Sequence, residues 1–379
     1  MNLLSRAAVA FGMIATIAGA MAVSAPNAFA TNEHSNRFVT KKAKNLSKLI
    51  RSNAVHYWRH VRDEKNIKDL KPFLSHQGMI SGDPHFGNFA VIPVNLQGGG
   101  RELRFVNVDF DDAGLGPYAL DFIRLVIASK AAHDEIKLKH MIEAYVEGLN
   151  GGDWEAPSPV HDALKTSMMD YDRKVDAYVE KKTDGDKFAL EEGEIEKNET
   201  NITKNMVAPL LPGLKLLDLA QRPQDSGGSA GSIRLWALVK DSKNQKRIFE
   251  LKEWKESGMN EYKKQASPEA LVAEVHKAFW SGIDPKSYSL VSVGGKRFWL
   301  REKKVDFFKI DYDSEEKADL ELLEYLAYYD ANVLGKIHAG QATGKAWAKL
   351  VTSRQDDFRE AAKPFIHEYL DSARRAMDK

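Results

Sequence analysis

The chain contains no cysteine. No disulfide can staple it, and thiol nucleophiles and thiolate metal sites are excluded. A charge imbalance is missing too: 55 Lys and Arg face 54 Asp and Glu, for a net charge of +1. That balance gives no electrostatic case for nucleic acid or an anionic membrane as partner. Long apolar runs are scarce. The clearest, Ala7 to Ala25, follows Arg6 and precedes Ala28-Phe29-Ala30. A basic start, an apolar stretch and an A-x-A triplet make an export signal, and Gly12, Gly19 and Pro26 argue against a membrane-spanning helix. Residues 1–30 are therefore read as a signal peptide. The mature chain would begin near Thr31, in the periplasm or outside the cell, with no stable membrane span. What remains must fold on an apolar core alone. At 379 residues and 43% hydrophobic, it can bury a large one, as two domains or one two-lobed unit.

The most informative stretch is Ser81-Gly82-Asp83-Pro84-His85-Phe86-Gly87-Asn88, followed by Val108-Asp109-Phe110-Asp111-Asp112. Phe89 to Ile92 and Leu103 to Val108 are apolar runs around Gln97-Gly98-Gly99-Gly100, the pattern of a hairpin. A hairpin brings the Asp83 loop beside Asp109. An Asp to orient or deprotonate a hydroxyl, with an Asn and a second Asp offering hard oxygens to magnesium, is the chemistry of phosphoryl transfer. Asp83 is thus the candidate catalytic base, and Asn88, Asp109 and Asp111 are candidate metal ligands. His85 is a candidate ligand or base, though a His in such a loop more often holds backbone. Asp121, after the Gly114–Pro117 turn, either caps the next helix or braces the loop.

Helical patterns run over Lys41 to Arg62, Tyr118 to His133, Ile136 to Leu149, Pro157 to Tyr178, Leu320 to Ala339 and Asp357 to Met377. Lys187 to Lys204, dense in Glu and Lys, reads as a charged helical surface insertion. From Leu214 the texture turns to strands: Ile233 to Val239, Arg247 to Lys252, and a hairpin over Ser289 to Arg301. The helix Pro268 to Trp280 carries Ser267 at its cap. Gly227-Gly228-Ser229-Ala230-Gly231-Ser232 precedes the first of these strands, and Lys252 ends the second. A glycine-rich turn can cradle phosphates, and a strand lysine can reach them while pairing with a helix glutamate. Gly228, Ser229, Gly231 and Lys252 are therefore candidate nucleotide contacts, with Glu274, or Glu269, as the lysine's partner. Segregated helices and strands, rather than alternating βαβ units, define the class as α+β.

The segments G-D-x-H-x-x-N, D-F-D-x-A and G-P…D, read here from Gly82 to Asp121, resemble those of an uncharacterised bacterial family, the domain of unknown function numbered 2252. Asn53 to Arg59, Ser226 to Ser232, Leu251-Lys252-Glu253 and Leu334 to Ala339 are similar to further parts of it. The same pattern resembles aminoglycoside and choline phosphotransferases of the protein-kinase-like superfamily. The order is reversed, with the catalytic loop before the glycine loop and lysine. The resemblance therefore implies a two-lobed, circularly permuted kinase-like fold. Residues 31–213 would be the C-lobe-like part with the catalytic hairpin and charged insertion, 214–305 the strand-rich N-lobe-like part, and 306–379 the hinge and helices completing the C-lobe. It also implies Asp83 as base, Asn88 and Asp109 on magnesium, and Lys252 on ATP phosphates, held by Glu274. Ser81-Gly82 stands where a protein kinase has His-Arg, which tilts the acceptor toward a small hydroxylated molecule. Two other classes compete: an exported kinase-like module that only binds, and a phosphohydrolase using Asp83, His85, Asp109 and Asp111 around magnesium or calcium. A need for Lys252 separates phosphotransfer from hydrolysis; a need for any acid separates both from binding.

Overall fold

The computed structural model describes residues 38–40, 43–223, 231–305, 314 and 316–378. The signal segment and two candidate phosphate contacts, Gly228 and Ser229, lie outside the described residues.

Helices α1 (Leu46–Arg51) and α2 (Ala54–Arg62) replace the single expected helix. The break is at Asn53, with φ −126° and ψ 41°. Its side chain accepts from Val39 N (2.8 Å) and donates to Leu49 O (2.7 Å), which holds the corner rather than capping α2. Strands β1 (Gln77–Ile80), β2 (Phe89–Asn95), β3 (Arg101–Asn107) and β4 (Gly114–Pro117) follow. β2 and β3 form the expected hairpin, with Phe89 opposite Asn107. β4 stands where a turn was expected. Pro117 has φ −68° and disfavours helical geometry at Gly116, so the segment extends and pairs antiparallel with β1.

α3 (Tyr118–Ala132) is apolar nearly all round and is buried along most of its length, Asp121 and Arg124 included. α4 (Leu138–Leu149), α5 (Ser158–Lys165) and α6 (Met168–Lys182) follow. The helix expected over Lys187 to Lys204 is absent. From Thr183 onward run instead the short strands β5 (Thr183–Asp184), β6 (Lys187–Phe188) and β7 (Glu196–Lys197), then α7 (Lys204–Val207). Gly185 and Gly193 take φ of +56° and +74°, a left-handed geometry that ends a helix whatever its Glu and Lys content.

The remaining elements are β8 (Lys215–Gln221), β9 (Arg234–Lys240), β10 (Lys246–Glu253), α8 (Pro268–Phe279), β11 (Tyr288–Val293), β12 (Lys296–Glu302), α9 (Lys317–Ala339), α10 (Gly344–Ser353) and α11 (Gln355–Met377). Ser267 caps α8 by accepting from Ala270 N. Six strands make one antiparallel sheet in the order β11-β12-β10-β9-β8-β7. The protein is mixed α+β, as its sequence texture indicated.

One apolar core gathers α1 to α4 with α9 to α11, so the last helices close the layer that the first ones open. α9 lies directly on α4 because two glycines meet there. A Cβ on Gly148 would come within 2.0 Å of Asn332 O, and one on Gly335 within 2.3 Å of Tyr145 O. A second cluster joins the Asp109 segment to the sheet. Phe110, Trp280, Tyr288 and Trp299 pack ring against ring, with centroids 4.7 Å apart for Tyr288 and Trp299 and 5.7 Å for Phe110 and Tyr288. Each such aromatic pair adds about 0.5–1.5 kcal/mol beyond its buried area. This cluster fixes where β10, and hence Lys252, meets the hairpin.

Candidate active site

Asp83, His85, Asn88, Asp109, Asp111 and Lys252 all line one cavity of about 420 Å³. Gly82 makes the turn into the loop: its φ is +79°, and a Cβ there would strike Asp112 O at 1.8 Å. Two braces hold that turn. Trp58 Nε1 donates to Gly82 O (2.8 Å). Asp121 accepts from Ser81 N (3.0 Å) and Gly82 N (2.8 Å), so it braces the loop. Behind Asp121 stand His338 Nε2 (3.2 Å), then Tyr145 OH on His338 Nδ1 (2.7 Å), then Trp347 Nε1 donating to Tyr145 OH (2.7 Å).

Asp83 is 7% exposed. Its Oδ1 accepts from Arg124 Nε at 2.8 Å, while Arg124 also donates to Ile50 O at 2.7 Å. Burial raises the Asp83 pKa above the ordinary range against the pull of Arg124. Its Oδ2 makes no hydrogen bond among the described residues and lies 3.7 Å from His85 Nε2. His85 Nδ1 accepts from Gly87 N (3.0 Å), so the ring shapes the loop. Burial, with Arg51 and Arg124 beside it, pushes the imidazole pKa well down and keeps it neutral. Asn88 Nδ2 donates to Asp83 O (2.9 Å), which leaves its amide oxygen as the atom for a ligand.

Lys252 comes from the sheet to the hairpin. Its Nζ lies 2.9 Å from Asp109 Oδ2 and 2.5 Å from Asp111 Oδ2. Burial disfavours its charge, but the two carboxylates outweigh that and hold it protonated. Burial likewise disfavours the Asp109 charge, yet Lys252 brings its pKa below the usual value; Asp109 keeps 31% exposure to the cleft. Asp111 moves the other way, raised by burial and by Asp109. Its Oδ1 is buried without a hydrogen-bond partner among the described residues. Asp112 is raised to about 7 by burial and by Asp83, and its Oδ1 accepts from Gly258 N (2.7 Å).

Two expected contacts are corrected. Glu274 is exposed on α8, and the partners of Lys252 are Asp109 and Asp111 instead. Glu269 pairs with Arg297 (3.0 Å). The reason is reach: the hairpin acids come up to Lys252 from below and leave its ammonium no need of a helix partner. Gly231 is described, with φ +73°, but is not among the cavity residues. Arg124, which supports Asp83, and Lys48, Arg51 and Arg234, which line the cavity, were missed. Arg124 had a signal, an arginine inside an otherwise apolar helix.

The donors suit magnesium. An orphaned carboxylate oxygen on Asp111, an amide oxygen on Asn88 and the Asp109 carboxylate are all hard oxygens. Among the described residues no three His, Asp or Glu side chains converge into a self-sufficient metal cluster. Magnesium often takes one or two carboxylates and completes its shell with water and substrate phosphates.

Residues 192–378 match the model of a family described as an uncharacterized protein conserved in bacteria (DUF2252). The match includes Lys252 and His338 and begins after the Asp83 hairpin. No curated protein and no solved structure matches the chain.

Proposed function

We propose that the protein is an ATP- and magnesium-dependent phosphotransferase of circularly permuted, two-lobed kinase-like architecture, acting on a small hydroxylated substrate. The observation that carries this is Lys252: a sheet lysine reaches the two hairpin acids in the same cavity as Asp83 and Asn88. The order of the sheet supports it. β8, β9 and β10 form a meander with Lys252 on the third strand, followed by a helix, which is where a kinase carries its phosphate-binding lysine. The place of action we propose is the cell envelope, on the strength of the export signal.

In this reading Asn88, Asp109 and Asp111 hold magnesium, which when bound neutralises phosphate charge. Lys252 supplies a fixed positive charge for the same phosphates. Asp83 receives the acceptor's hydroxyl proton on Oδ2, while Arg124 fixes the carboxylate through Oδ1. Its raised pKa favours taking that proton. The stacked supports behind Gly82 keep the carboxylate in place, the positioning on which phosphoryl transfer depends.

The test is thermal unfolding of the chain from Thr31 onward with ATP and magnesium, beside Asp109→Asn. Ligand at about a hundred times its dissociation constant adds ~2.7 kcal/mol to the folded state, a rise of a few degrees. The reading expects that rise in the parent and its loss in the variant. No rise with any nucleotide sinks it in favour of a binding module.

A further inference from the structure

Resting on that phosphotransferase reading, we infer that the acceptor is a small hydroxylated anion, and that the corner between α1 and α2 binds its negative group. The corner is built onto the Asp83 loop. Arg124 ties Ile50 O to Asp83, and Trp58 ties α2 to Gly82 O. A molecule that offers its hydroxyl to Asp83 enters the cavity that this corner lines.

The corner is cationic. Lys48, Arg51 and Ser52 of α1 line the cavity beside Ala54 and Val55, which open α2. Arg51 is close enough to lower the pKa of both Asp83 and His85, and its Nη1 lies 3.5 Å from the point where a Gly87 Cβ would stand. Lys48 is half-buried and has no ion pair among the described residues. The opening turn of α2 adds to this. Asn53 spends its side chain on Val39 and Leu49, so the first N–H groups of α2 have no side-chain cap and face the cavity end of the helix. Uncapped N–H groups and the positive end of a helix favour an anion. The independent pointer to a ligand is Asp83: nine-tenths buried and held through Oδ1 by Arg124, it keeps Oδ2 free of hydrogen bonds among the described residues in the same cavity. A hydroxyl on Asp83 and a negative group on the corner together specify one molecule of a few heavy atoms. A polycation of the aminoglycoside kind would meet Lys48 and Arg51 with like charge.

The corner cations come from α1, whereas Lys252 and Arg234, which line the same cavity, come from the sheet and would face the nucleotide. Calorimetric titration decides the matter, with the chain from Thr31 and its Lys48→Gln/Arg51→Gln double variant. The probes are glycerol 3-phosphate, glycerate, glycerol, choline and, separately, ATP with magnesium. The inference expects the two anions to bind the parent and to weaken about tenfold or more in the double variant, with glycerol and choline not binding and ATP changed less than twofold. Stronger binding of glycerol 3-phosphate than glycerate assigns a phosphate; the reverse assigns a carboxylate. If ATP binds and neither anion does, the inference falls while the phosphotransferase reading stands. If ATP weakens with the anions, the corner serves nucleotide phosphates and the inference is wrong. Anion binding without ATP binding removes the phosphotransferase reading, and with it the anion's role as acceptor. The variant's unfolding midpoint without ligand guards against simple misfolding.

Discussion

Arg124 and Asp83 form the pair on which the site rests, one fully buried and the other nearly so. Removing one partner of such a pair leaves an uncompensated charge in the interior, at about 3–5 kcal/mol. Arg124→Met should therefore lower the unfolding free energy read from a urea titration by about that much, whereas a loss within about 1 kcal/mol would mean that water reaches Asp83 freely. Asp330 shows the opposite situation. It is buried on α9 with both carboxylate oxygens unpartnered among the described residues, and burial raises its pKa well above 3.8. The folded chain binds that proton more tightly than the unfolded chain does. The resulting stabilisation is complete below pH 3.8 and is lost as pH rises from there toward the folded value. Asp330→Leu should thus be more stable than the parent at pH 8, with the gap closing toward pH 4; a gap constant with pH would contradict the assignment. At this scale Asp83, Asn88, Asp109, Asp111 and Lys252 could be read from the sequence, because each sits in a local pattern with chemical meaning. Lys48 and Arg51 could not, since the cavity they line forms only when distant segments meet; Arg124 left one signal, its place in an otherwise apolar helix, but its partner Asp83 comes from a different segment. Glu274 failed for the same reason: its helix was legible, but which side of it meets Lys252 depends on packing.

Elements were legible where one force dominated. The β2–β3 hairpin and the helices α3 and α4 follow from apolar patterning, and α8 from its Ser-Pro start. Composition misled where backbone geometry ruled, as in the Glu- and Lys-rich stretch turned by Gly185 and Gly193. β4 was missed because Gly-x-Gly-Pro suits a turn as well as an extended edge, and only β1 decides between them. The α4–α9 contact depends on its two glycines rather than on apolar area. Gly335→Ala places a methyl on backbone atoms that cannot swing aside, so it should cost about 1–3 kcal/mol and lower the thermal midpoint by a few degrees. An unchanged midpoint would show that α9 can slide on α4 at no cost.

At the scale of the whole molecule, the chain writes the acidic hairpin first and the lysine sheet later, and the aromatic cluster of Phe110, Trp280, Tyr288 and Trp299 joins them. The class, α+β, was readable from segregation of the elements; the meeting of Lys252 with Asp109 was readable only through resemblance, since spacing along the chain carries no information about it. The central claim is that these distant residues make one nucleotide site. Calorimetric titration of ATP with magnesium into the parent and into Lys252→Met tests it most directly. The account predicts saturable binding in the parent and a loss of about tenfold or more in the variant, with magnesium required. Equal affinity in both proteins, or binding indifferent to magnesium, would contradict it.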